Sequence, residues 1–136
     1  DLHSFPTRRS SDLEPEDIPP FTQLSRLYER TTGKDPFRLT QAWLDARSKL
    51  DPTTPFNYVT TNDIVGGNSG SPLIDAQGRL VGLAFDGNIH SIAGSYWYDE
   101  RMNRAIAVHP TIIVKALRDV YGATSIANEI LGKPSE

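Results

Sequence analysis

The segment Gly66-Gly67-Asn68-Ser69-Gly70-Ser71-Pro72 leaves few folds open to this chain. Glycines on both sides of a serine let the backbone turn tightly and let a substrate carbonyl approach closely. The amides of Gly67 and Ser69 could then converge on one point and hold a developing oxyanion. Ser69 is therefore a candidate nucleophile, with Gly67 and Ser69 as a candidate oxyanion hole. The turn leads through Pro72 into the apolar pair Leu73-Ile74, which reads as a strand rather than a helix. That argues against the nucleophile elbow, where Gly-x-Ser-x-Gly joins a strand to a helix. Here the fifth position is Ser71.

The rest of the chain reads coarsely. Phe21, Leu24, Leu27 and Tyr28 recur at helical spacing and predict a helix over 21–32, closed by Gly33. Leu39, Trp43, Leu44 and Leu50 predict a second helix over 40–50 with Thr40 as N-cap. Asp51 to Pro55 is a turn region, and Phe56–Thr60 alternates like a strand. Pro72–Asp75 and Arg79–Phe85 form a predicted hairpin around Gly78. The nearly all-apolar run Leu80–Phe85 suits a buried strand. Tyr96–Tyr98 is a candidate strand, and Arg104–Val108 a further short one. Pro110 fits a first helical position, followed by a helix over 111–121, Gly122 as its stop, and a last helix over 124–131. Two helices, short strands around a serine turn, then terminal helices is not a βαβ alternation. It is a mainly β chain with flanking helices, suited to the closing strands of an antiparallel barrel.

Composition narrows the function classes. At 136 residues the chain is at most one domain or a piece of a larger one, and its charge of −3 offers no basic stripe for nucleic acid. It has no apolar run long enough for a membrane span and no cysteine for disulfides or thiolate metal sites. Nothing calls for a cofactor. Residues 1–13 have no periodicity and resemble translated sequencing adapter, with a natural disordered arm as the alternative, so they are set aside from fold reasoning, and 14–20 read as an acidic, proline-rich linker.

Gly67 to Pro72 also fits the trypsin-like pattern Gly-Asp/Asn-Ser-Gly-Gly/Ser-Pro at all six positions. A serine hydroxyl needs a base, and in the trypsin-like order the histidine and aspartate precede the serine. Only His3 does so here, within the set-aside arm; His90 and His109 follow Ser69 and read as surface or packing residues. The wider run Thr61–Pro72, then Gly82–Ile89, Tyr98-Asp99, Asn103–Ile106 and the helix Ile112–Gly122, resembles the dipeptidyl-peptidase 7 and 11 family of bacterial exopeptidases. That resemblance covers about 14–132. It implies a chymotrypsin-like double β-barrel of which this chain supplies part of the second barrel, within a longer, periplasmic, homodimeric protein. It implies no cofactor, peptide substrates with a free N-terminus, and a catalytic histidine and aspartate outside this chain, which alone should be inactive.

By that resemblance, Ser69 matches the nucleophile, and the Gly67 and Ser69 amides match the oxyanion hole. Asp86 matches an aspartate that binds the substrate's α-amino group, a role a carboxylate at a strand end can fill. Taken alone, Asp86 reads more readily as a plain turn residue after a strand. Gly87 matches a position that carries glycine where an apolar second residue is preferred and arginine where Asp or Glu is; glycine leaves the subsite roomy and uncharged, so an apolar second residue is expected. Asp63 lies six residues before Ser69, where trypsin-like enzymes carry a pocket acid, yet a loop role fits the resemblance better. Asn62 and Asn68 are expected to bond loop backbone. Trp43, Tyr96, Trp97 and Tyr98 are expected to pack, and Asp99, Glu100, Arg101 and Arg104 to form a solvated face. Two other classes remain at this level: a different periplasmic trypsin-like endopeptidase, and a non-catalytic binding module.

Overall fold

The structure, a computed structural model, describes residues 20–94 and 96–133. The expectations for residues 1–13 and for the linker over 14–19 lie outside them. Five strands form one antiparallel sheet: β1 (Phe21–Gln23), β2 (Pro55–Thr60), β3 (Pro72–Ile74), β4 (Leu80–Gly87) and β5 (Ala105–Val108), in the order β1-β2-β5-β4-β3. Helices α1 (Leu24–Arg30), α2 (Gln41–Ala46), α3 (Pro110–Lys115) and α4 (Thr124–Ile130) flank it. The mainly β class with flanking helices is what the sequence leads one to expect.

The core forms where α1, α2 and α3 converge on the start of β2. Leu24, Tyr28, Ala46, Leu50 and Ile112 are buried there, with Leu27, Trp43, Phe56, Val108 and Val120 packed around them. Leu24, Leu27 and Tyr28 face inward because residues three and four apart share one side of a helix. The Tyr28 hydroxyl donates to the Trp43 carbonyl at 2.8 Å, and the Trp43 indole N–H donates to the Tyr121 hydroxyl at 3.0 Å. These two bonds tie α2 to its neighbours on both sides, so Trp43 is the packing residue its sequence context suggests.

Several local expectations give way to tertiary structure. The first helix starts at Leu24, because Phe21 and Gln23 pair instead with Tyr58 and Pro55 along the edge of β2. The Phe21 ring stacks on Tyr58 at 5.9 Å between centroids, a contact that a helical Phe21 would lose. Gly33 does adopt a left-handed φ of 71°, but α1 has already ended at an extended Thr31. Thr40 stands at the N-cap of α2 without a side-chain bond, and α2 passes into a 3₁₀ turn over Arg47–Lys49. The helix after Pro110 becomes a π turn over Ala116–Val120 before Gly122 ends it with φ 66°.

Residues 96–98 are not a strand. Residues 96–104 form turns and irregular chain leading to β5, with Tyr96 95 % and Trp97 66 % exposed rather than packed. Tyr98 does pack, its hydroxyl donating to the Thr61 carbonyl. Nor is the charged cluster simply solvated. The Arg104 guanidinium donates to the carbonyls of Glu100, Arg101 and Asn103, and Asp99 pairs with Arg101 at 2.8 Å, so the charges fasten the loop to itself.

Across the sheet, Tyr58, Ala107 and Ala84 lie in register on β2, β5 and β4. The Tyr58 side chain spans the small residues between and donates its hydroxyl to the Val81 carbonyl at 2.7 Å. A Cβ at Gly82 would lie 3.0 Å from Cε1 of that ring, with the hydroxyl oxygen nearer still. Any side chain there must displace the Tyr58 ring. Not all of β4 is covered, however: Leu80 and Val81 are exposed, against the expectation of a fully buried strand. We expect Gly82→Ala to cost about 1–3 kcal/mol, as overpacking typically does. The cost should shrink in a Tyr58→Phe background, where the nearest atom is gone. Urea unfolding of the four variants checks this, and an alanine tolerated equally in both backgrounds would refute the steric reading.

Candidate active site

The serine turn is built by its asparagine and its glycines. Asn68 Oδ1 accepts the Val65 N–H at 2.8 Å while the Asn68 N–H donates to the Val65 carbonyl at 3.1 Å, pinching the loop closed. Gly67 and Gly70 take φ of 102° and 85°, a region that side-chain-bearing residues seldom occupy. Two backbone bonds then lock the loop onto β4: Gly70 N–H to the Ala84 carbonyl at 2.7 Å, and Ala84 N–H to the Ser71 carbonyl at 2.9 Å. Ser69 immediately precedes these anchors and is exposed, its hydroxyl donating to the Phe85 carbonyl over a long 3.4 Å. Among the described residues no group accepts from the amides of Gly67 or Ser69.

Opposite the loop, β4 carries a bulge. Ala84 pairs with Ala107 and Asp86 with Ile106, so Phe85 is the extra residue. A bulge bends the strand and re-aims the following side chains. Asp86, half-buried, accepts the Gly87 N–H at 2.8 Å through Oδ1. The chain then turns at Asn88, whose side chain grips the start of β5: Nδ2 donates to the Met102 carbonyl at 2.7 Å, and Oδ1 accepts the Arg104 N–H at 3.1 Å and the Ser91 hydroxyl at 2.9 Å. Ser69 thus reaches β4 at Phe85, the residue just before Asp86 and Gly87. Ser91 is a participant that the sequence analysis missed, and its only signal was a short polar side chain four residues after Gly87.

Of the other candidates, Asn68 bonds the loop as expected, whereas Asn62 makes no such bond among the described residues and instead lines an open depression of about 440 Å³. Phe21, Tyr58, Leu73, Ile74 and Val81 also line that depression, which borders the serine loop without including Ser69 or Asp86. Asp63 is exposed on the loop, and His90 is exposed on the 3₁₀ turn. His109 caps α3, its Nδ1 accepting the Thr111 N–H at 3.2 Å, and packs edge-on against Tyr58 at 5.8 Å. Neither histidine hydrogen-bonds Ser69. Among the described residues no group of three or more His, Cys, Asp or Glu side chains could hold a metal ion, and no helix is long and apolar enough to cross a membrane.

A model of the family described as peptidase S46 matches residues 11–132. The chain belongs to the peptidase S46 family. It is 41 % identical over 80 residues to a dipeptidyl-peptidase 7 from Capnocytophaga gingivalis, an alignment spanning 59 % of this chain and 11 % of that protein. It is 28 % identical over 141 residues to an Asp/Glu-specific dipeptidyl-peptidase from Shewanella putrefaciens, spanning 82 % of this chain and 19 % of the relative. Among solved structures, DPP11 of Porphyromonas endodontalis in an alternate conformation superposes with a TM-score of 0.75 at 22 % identity, over 87 % of this chain and 20 % of that one. The same protein with the dipeptide Arg-Glu superposes with a TM-score of 0.73 at 23 % identity, over 89 % and 20 %. This S46 chain thus shares the fold of the matching fifth of DPP11 and spans a fifth or less of the length of these relatives.

Within that fold His109 serves structure. Burial disfavours its charged form and holds its pKa below the usual histidine value. A histidine with a depressed native pKa stabilises the fold above the unfolded-state pKa near 6.5, and that contribution is lost as pH falls through the lower native value. NMR titration of the chain should find His109 titrating below about 6.5, with resistance to urea declining as the pH is lowered through that range. A midpoint at or above the free-histidine value would contradict this.

Proposed function

We propose that this S46 chain is the nucleophile-bearing part of a serine dipeptidyl-peptidase, forming part of the second barrel of a chymotrypsin-like catalytic domain. The observation that carries the reading is the serine turn locked against β4: an accessible hydroxyl, two amides without acceptors beside it, and Asp86 one residue beyond the carbonyl that Ser69 touches. The relatives named as dipeptidyl-peptidases support the reaction class.

In this reading Ser69 Oγ attacks the carbonyl of the substrate's second residue. The serine proton passes to a histidine, itself oriented by an aspartate, both supplied from outside this chain. The Gly67 and Ser69 amides hold the oxyanion as the tetrahedral intermediate forms. The C–N bond breaks as the histidine returns the proton to the leaving amine. Water, deprotonated by the same histidine, then releases the dipeptide and restores the serine. Asp86 pairs with the substrate's α-ammonium, so chain termini are selected over internal bonds. An uncharged Gly87 favours an apolar second residue, because no guanidinium offers a carboxylate its bidentate partner. The complete enzyme works in the periplasm as a homodimer, and the 136-residue chain alone turns nothing over.

The test uses the full-length protein with fluorogenic dipeptidyl substrates. Release should be faster with an apolar than with an acidic second residue and should vanish when the N-terminus is acetylated. Ser69→Ala should lower kcat by roughly 10⁴-fold or more and abolish labelling by a fluorophosphonate. Cleavage that survives Ser69→Ala, or that ignores the acetyl block, would sink the proposal.

A further inference from the structure

Gly87 is not a glycine for conformational reasons. Its φ is not among the positive values found at Gly33, Gly67, Gly70, Gly78, Gly122 and Gly132, so the backbone there would admit any side chain. The obstacle is a neighbour. A Cβ at position 87 would lie 2.9 Å from Ser91 Cβ, 3.2 Å from Ser91 Oγ and 3.6 Å from the Arg104 carbonyl oxygen. The closest of these is a β-carbon, which no rotation about χ1 can move aside. The main chain carrying it is fixed as well. The Ser91 N–H donates to the Asn88 carbonyl at 2.9 Å, and the Ser91 hydroxyl donates at 2.9 Å to Asn88 Oδ1, with the Arg104 carbonyl 3.3 Å away. Asn88 is fastened in turn to both ends of Met102–Arg104.

We infer that Ser91 is a specificity-positioning residue. Its β-carbon restricts position 87 to glycine, so the volume and charge of the subsite beside Asp86 are set by the pair 87/91 and not by position 87 alone. The inference rests on the assignment of Gly87 to the substrate subsite. A side chain at 87 forces the 3₁₀ turn Ile89–Ala93 away from β5, breaks the Asn88–Ser91–Arg104 network and displaces Asp86. An arginine able to pair with a substrate carboxylate can be seated only when residue 91 gives up its β-carbon.

The experiment is a mutant cycle in the full-length protein with Gly87→Ala, Ser91→Gly, Ser91→Ala and the two double variants. Gly87→Ala alone should lower kcat/KM on an apolar dipeptidyl substrate by about tenfold or more, equivalent to about 1.4 kcal/mol. It should also speed hydrogen exchange of the Asn88 and Ser91 amides. In the Ser91→Gly background the same alanine should add nearly nothing to either measurement. In the Ser91→Ala background it should cost as much as in wild type, because alanine keeps the β-carbon while losing the hydroxyl. Gly87→Arg should then gain release from substrates with an acidic second residue only when combined with Ser91→Gly.

A Gly87→Ala variant indistinguishable from wild type, equal rescue by Ser91→Ala, or an acidic preference gained by Gly87→Arg alone would each overturn the inference. The exchange measurements decide the steric coupling even if the wild-type protein releases no dipeptides. That last result would count against the proposed function, leaving the packing result to be read separately.

Discussion

Two backbone hydrogen bonds hold the candidate site together: Gly70 to Ala84, and Ala84 to Ser71. They join a loop rich in glycine, which would otherwise be costly to order, to a strand of the sheet. Both run through one alanine of β4, and Ala84 is 2 % exposed. The loop's anchor is therefore buried while the serine just before its two attachment points stays open. A main-chain lock also places the Ser69 and Gly67 amides without using them, because the donors it consumes belong to Gly70 and Ala84. Loop closure therefore leaves free the two N–H groups that the proposed oxyanion hole would need.

The same alanine belongs to the row Tyr58–Ala107–Ala84. Small residues on β5 and β4 give a flat shelf on which one long ring crosses from β2 to the Val81 carbonyl. Ala105 and Ala107 are fully buried, and Gly82 leaves the space the ring occupies. This packing stiffens the middle of β4 just before the bulge at Phe85. Beyond the bulge the strand is held differently, by the polar grip of Asn88 on Met102 and Arg104. The residues assigned to substrate lie at the junction of these two regimes, where the ladder is interrupted and a side chain can be aimed away from the pleat.

What the sequence made legible follows from how local each cause is. The serine turn was readable because positive φ at Gly67 and Gly70 and an asparagine bonding its own loop are short-range effects. The hairpin at Gly78, Pro110 at a helix start and Gly122 at a helix stop were readable for the same reason. Phe21 was misplaced because its helical spacing competes with an edge of β2 contributed from residues 55–60. Tyr96 and Trp97 were misread because apolar character alone does not say that a partner is within reach. Ser91 escaped notice because a steric limit between two small residues leaves no mark in composition or periodicity.

The charges around the site divide by what they touch. Asp75, Asp99 and Asp51 each accept bonds from their own loops, and those bonds hold all three carboxyls below the usual aspartate range. They are occupied in folding the turns they stand in. Among the described residues the Asp86 side chain accepts one hydrogen bond, from the amide of the next residue, which leaves acceptor capacity on its carboxylate. A carboxylate accepts about four hydrogen bonds, and a substrate ammonium brings three donors. In the proposed function that remaining capacity serves a free peptide N-terminus, and an internal amide, with one N–H and no charge, would use it far less well.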